Sequence, residues 1–173
     1  MTPDDRAELP REARVLLTAL ANQREHVLGA VDGLSGDALR RPVLPSSWSC
    51  LGLVQHLALD VERFWFRGVV AGEDLVIRAV TEGTDDAWQV ATETPAEQVL
   101  EAYRREARLA DAVIASTPLD AQPGWWPDFF GDYRLDDLRA VLVHVLTETA
   151  CHAGHLDAAR ELVDGKQWLV LTE

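Results

Sequence analysis

The stretch LDDLRAVLVHVLTETACHAGHLDAARELV, residues 135–163, decides the fold. Leu138, Val141, Val145, His152, Leu156, Ala159 and Val163 recur at steps of three, four and seven, the spacing of one face of an α-helix. The pattern predicts a helix over 135–163, opened near Asp132 or Arg134 and closed at Asp164-Gly165. Glu148 falls on the same stripe. A carboxylate turned toward a core is costly unless it is paired or binds a metal, so this helix carries both a fold signal and a chemical one.

Working outward, three more segments show helical spacing. Val15, Leu16, Ala19, Leu20, Val27, Leu28 and Val31 mark a helix over 11–32, ended by Asp32-Gly33-Leu34-Ser35-Gly36. Pro42 and Pro45 exclude a helix through 41–47, and Ser46 or Ser47 is the expected cap of a second helix over 48–70. Residues 75–93 read as a long polar connection with room for one short helix. Thr94-Pro95-Ala96-Glu97 then resembles a helix start, and the third helix is expected over 95–116. A Trp- and Pro-rich loop, 118–133, leads into the fourth. Strand-like alternation occurs only at 168–171. The expectation is an all-α four-helix bundle filling 1–173 as one domain, with 1–10 and 166–173 peripheral.

With 173 residues, 47% of them hydrophobic and 26% charged, the chain has the composition of a globular protein. No apolar run of about 18 residues is present to cross a membrane, and the polar start lacks the apolar centre of a secretory signal. Sixteen basic against 29 acidic residues give a net charge of −13, which argues against nucleic acid and anionic lipid as partners. Cys50 and Cys151 form no CxxC pair, so a reduced, cytoplasmic chain is expected.

His144, Glu148 and His152 are each four apart and stack on one helix face. Residues four apart lie about 6 Å apart along the axis and residues eight apart about 12 Å, so His144 and His152 do not share one ion directly. The spacing leaves three pairs open: His144 with Glu148, Glu148 with His152, and His152 with His155. A further ligand must come from another helix, and His56, beside the apolar stripe of the second helix, is the candidate. His26, among Gln23, Arg24 and Glu25, reads as a surface residue. Two histidines and one carboxylate suit Zn²⁺, Ni²⁺ or Fe²⁺ and leave a coordination position open, which points to catalysis.

The segment PSSWSCLGLVQHL (45–57), with VERFWFR (61–67) and AGED (71–74), resembles the second-helix signature of the DinB-like superfamily, more narrowly its mycothiol-dependent maleylpyruvate isomerase-like branch. ETACHAGHLD (148–157) resembles that branch's fourth-helix motif. The resemblance spans residues 14–165. It implies an up-down-down-up bundle with a crossover between helices two and three. It also implies a divalent metal, commonly zinc, held by His56, Glu148 and His152, with Glu148 and His152 central to catalysis. His144 and His155 then become neighbours of the site. The isomerase of that branch has a further C-terminal domain supplying a substrate-binding arginine, for which this sequence has no counterpart. Thiol transfer is therefore expected ahead of isomerisation: a low-molecular-weight thiol, mycothiol-like, joined to an electrophilic small molecule. A metal-dependent hydrolase or isomerase, or a non-catalytic metal-bearing binding or dimerisation module, is the alternative, and a homodimer is left open.

Four further groups complete the reading. Trp125 and Trp126, with Phe129 and Phe130, are candidates for a pocket wall over the metal. Asp60, one turn beyond His56, is placed to orient its imidazole. Arg63 and Arg67 are expected in salt bridges. Cys151 points away from His152, and Cys50 reads as a free buried thiol.

Overall fold

A computed structural model describes residues 9–83 and 86–168. Among these every regular element is helical: α1 Arg11–Val31, α2 Gly36–Arg40, α3 Cys50–His56 running on without interruption into a wider segment π1 Leu57–Val70, α4 Asp74–Glu82, α5 Ala96–Ser116, a 3₁₀ turn Asp128–Phe130 and α6 Leu138–Asp164. The four long helices lie within a few residues of expectation, and α4 is the short helix of the 75–93 connection. The five-residue α2 was not foreseen. Of the candidate strand 168–171 only Trp168 is described, and it lies in no strand; the rest falls outside the described residues.

Paired side chains fix the topology. Glu12 meets Arg139, His26 meets Asp157, and Arg160 reaches the Ala30 carbonyl, so α1 and α6 run in the same sense. Trp65 meets His144 and His56 meets His152, so the second long helix runs against α6. After Val70 the chain crosses back over α4 before α5 begins. Arg40 of α2 holds the Val90, Ala91 and Thr94 carbonyls just before α5. The arrangement is up-down-down-up. The core runs from Leu17 and Leu20 through Leu53, Leu57 and Phe66 to Tyr103, Ile114, Leu142 and Leu156.

Helix starts differ from the expected caps. The hydroxyl of Ser49, not Ser46 or Ser47, accepts from Gly52 N. Asp137 caps α6 by accepting from Ala140 N at 2.8 Å, so the helix opens later than the expected start beyond Asp132 or Arg134. Thr94 makes no side-chain cap; Pro95 precedes α5 with its φ already near the helical value.

From Leu57 the backbone hydrogen bonds widen to i→i+5, and Ala71 N closes the segment on Phe66 O at 2.9 Å. The wider turn buries residues in adjacent groups: Leu57 with Ala58, Val61 with Glu62, and Phe64 with Trp65 and Phe66. Glu62 is thereby carried fully inside (0% exposed). There Arg24 of α1 grips it with two hydrogen bonds, Nε to Oε1 at 2.6 Å and Nη2 to Oε2 at 2.7 Å, and gives Nη1 to Asp111 of α5 at 2.6 Å. Nearby Arg67 joins Glu73 and the buried Glu106, so its expected ion pairing is present. Cys50 is a buried free thiol whose pKa burial pushes up, and Cys151 is an exposed one.

Removing one member of a buried, hydrogen-bonded ion pair strands the other charge. Glu62→Gln is expected to lower the free energy of unfolding by about 3–5 kcal/mol, read as a lower midpoint in urea with an unchanged slope.

Candidate functional site

His56 closes α3, and Glu148 and His152 stand one turn apart on α6. One ligand atom from each falls in a group whose members are all within 4.8 Å of one another. Second partners settle which ring nitrogens are presented. His56 Nδ1 donates to Asp60 Oδ2 at 3.0 Å, across one turn at the junction of α3 and π1, which leaves Nε2 as the free acceptor. His152 Nδ1 shares a hydrogen bond with His155 Nδ1 at 3.3 Å, while its Nε2 lies 3.6 Å from Glu148 Oε2. Donors each about 2.1 Å from one tetrahedral ion stand roughly 3.4 Å apart, so the α6 pair is already near that spacing and His56 needs only a small side-chain adjustment. Two imidazoles and a carboxylate fit a divalent ion of the zinc type.

The true centre of the α6 stripe passes through Val145, Thr149, Ala153 and Leu156, all buried. Glu148 and His152 lie beside it. The Glu148 side chain is 40% exposed and faces a cavity, not the core. At about 100° per residue, 148 and 152 point about 60° and 20° to one side of Val145, while 149 and 153 point about 40° and 80° to the other; the neighbouring helices cover the second side.

That cavity, about 410 Å³, opens against Glu148. Phe64 and Trp65 of π1, Ala79 and Val80 of α4, and Phe129, Phe130 and Tyr133 of the loop form its apolar walls; Asp60, Arg63, His144 and Glu148 are its polar points. The loop is held down by two bonds to orphan carbonyls at the end of π1, Gly124 N to Val70 O and Trp125 N to Val69 O, each 3.1 Å. Trp125 and Trp126 do not line the cavity. They pack behind it, Trp125 on Phe64 and Trp126 on Trp65 and Phe130. Arg63 stands at the cavity.

His144 lies against Trp65, ring centroids 4.5 Å apart, and belongs to the cavity. His155 lies on another side of the donors, against His152 and Trp48. His26 is not a surface residue. It is 8% exposed and bonds Asp157 at 2.6 Å in the α1–α6 seam. Its polar neighbours in sequence suggested exposure, but Arg24 beside it is buried too. Trp88, unassigned in the sequence, stacks on His56 at 4.2 Å. Gly52 makes this possible: a Cβ there would sit 2.5 Å from the Trp88 carbonyl oxygen.

Burial pulls the His152 pKa below the ordinary imidazole value, and neighbouring His56 adds to this against the opposing charge of Glu148. Burial does the same to His144. Both rings are therefore favoured in the neutral form, the form that binds metal.

Fold and site together define a helical bundle with a His–Glu–His donor set at the end of an aromatic cavity. A family model described as mycothiol-S-transferase matches residues 15–165, and the chain belongs to that family. No curated protein and no solved structure matches the chain at a significant level.

The depressed histidine pKa values make a prediction for the metal-free protein. The unfolded chain takes up these protons first, so the stabilising contribution is complete above the ordinary imidazole value and is lost as pH falls from there through the lower folded-state values. The Tm of chelated protein is expected to fall between about pH 7 and pH 5, and His144→Gln to flatten part of that fall.

Proposed function

We propose that the protein is a divalent-metal-dependent S-transferase that joins mycothiol to an electrophilic, largely apolar small molecule. What supports this reading above all is one juxtaposition. In a chain of the mycothiol-S-transferase family, the donors of His56, Glu148 and His152 converge from two helices at the edge of an aromatic cavity. His56, Glu148 and His152 hold the ion, zinc by donor type. Such an ion supplies positive charge that lets a thiol lose its proton at neutral pH.

The chain's own residues do the rest. Asp60 holds the His56 ring in the tautomer that presents Nε2. Phe64, Trp65, Phe129 and Phe130 bind the apolar body of the electrophile and keep water from the reacting carbon. His144, neutral and beside Glu148, is placed at the cavity to take a proton or donate a hydrogen bond to the group displaced or charged in the reaction. A new S–C bond forms and the thiol proton goes to solvent or a base; in a displacement the carbon–leaving-group bond breaks and the group leaves with its electron pair, and in an addition a π bond or strained ring opens and the anion formed takes up a proton.

Replacing His152 by Ala is expected to remove most bound metal, measured by elemental analysis, whereas His144→Ala leaves it in place. Mycothiol loss with a chromogenic aromatic electrophile should be seen for the zinc-loaded protein and should drop about a hundredfold or more on chelation or in Glu148→Gln. Equal rates in all three would sink the metal-dependent reading. Hydrolysis of esters or amides with no thiol present would replace it by hydrolase activity.

A further inference from the structure

A second hollow, about 300 Å³, adjoins the donor set and shares no lining residue with the aromatic cavity. Ser46, Ser47, Trp48, Trp88 and Gln89 line it. It touches the site through its two indoles: Trp88 lies on His56 and within 6.3 Å of His152, and Trp48 lies 6.3 Å from His155. The donor set therefore stands between two binding volumes of different chemistry.

The hollow is built. Trp88 is held by its own backbone: Trp88 N and Gln89 N both donate to Asp86 Oδ1 at 3.0 Å, and Gln55 of α3 donates to the Asp86 and Gln89 carbonyls. Gly52 gives the close approach that sets this segment on α3. Ser47, on the other wall, has φ +63°, the only non-glycine among the described residues in the left-handed region. That conformation is sparsely populated for serine and concentrates at binding sites.

We propose that this hollow is the subsite for the polyhydroxylated body of the thiol substrate, with the aromatic cavity left to the electrophile; the inference rests on the S-transferase reading. Mycothiol carries its cysteinyl thiol on a glucosamine–inositol pair. Such rings have C–H faces that lie on flat indoles and hydroxyls that need directional partners. Two tryptophans, two serine hydroxyls and a glutamine carboxamide supply both, and no charged side chain lines the hollow. The large cavity is of another kind: Phe64, Trp65, Phe129 and Phe130 wall it, and its polar groups include the charged Asp60, Arg63 and Glu148.

The test needs no turnover. Thiol-free glucosaminyl-inositol is titrated calorimetrically into zinc-loaded protein, wild type and Trp88→Leu, Trp88→Phe and Trp48→Leu, with metal content measured for each. Wild type is expected to bind; the Leu variants should bind about tenfold more weakly, and Trp88→Phe, which keeps an aromatic face, should recover most of the affinity. In turnover, Trp48→Leu should raise KM for mycothiol and leave KM for N-acetylcysteine unchanged. If Trp88→Leu loses metal, Trp48→Leu decides alone. No binding to wild type, or equal affinity in the Leu variants, overturns the subsite. Tryptophan-dependent binding with no thiol transfer would keep the subsite and remove the S-transferase reading. Thiol transfer with binding indifferent to both tryptophans would do the reverse.

Discussion

Arg24 sits where three of the four long helices meet, and its guanidinium is shared between Glu62 and Asp111. A buried charge of this kind tolerates little movement, because any rotation of the helix that carries Glu62 would leave both partners unsatisfied in a medium that does not solvate them. The widened winding of π1 and this ion pair act together. Glu62 points in, and its neighbours Asp60 and Arg63 on either side reach the cavity. One turn before Asp60, His56 is turned toward α6. The helix phase that satisfies Arg24 is thus the phase that presents the donor histidine.

From that fixed helix the aromatic side chains build outward. Trp65 packs against Trp126, Phe130 and His144 at once, joining the second helix, the loop before α6 and α6 itself. The loop has little regular structure of its own, so its position depends on this packing and on the two backbone bonds to Val69 and Val70. The result is a site whose candidate donors come from helices and whose cavity is walled by two helical segments and a loop.

Much of the fold was legible because long amphipathic helices announce themselves by period, and glycine and proline punctuate them. The donor set was legible in part. Spacing along α6 left three ligand pairs open, and family resemblance singled out His56, Glu148 and His152. Glu148 faces the cavity and not the core: a stripe drawn through 145, 148 and 152 lies a fraction of a turn from the one drawn through 145, 149 and 153, and sequence alone does not separate them.

The sequence by itself determined the all-helical architecture, the net acidic charge, and a fourth helix carrying His144, Glu148 and His152 on one side. Those properties are local or summed over the chain. Only the tertiary structure decided that His26 is buried against Asp157, that Trp88 and not Trp125 or Trp126 meets the donor histidines, that Phe129, Phe130 and Tyr133 line the cavity, and that Arg24 is shared by two carboxylates inside the bundle. Each of these joins residues 32 to 131 positions apart, and such a pairing is set by how helices cross and how the loops fold back, which no periodicity within one helix records.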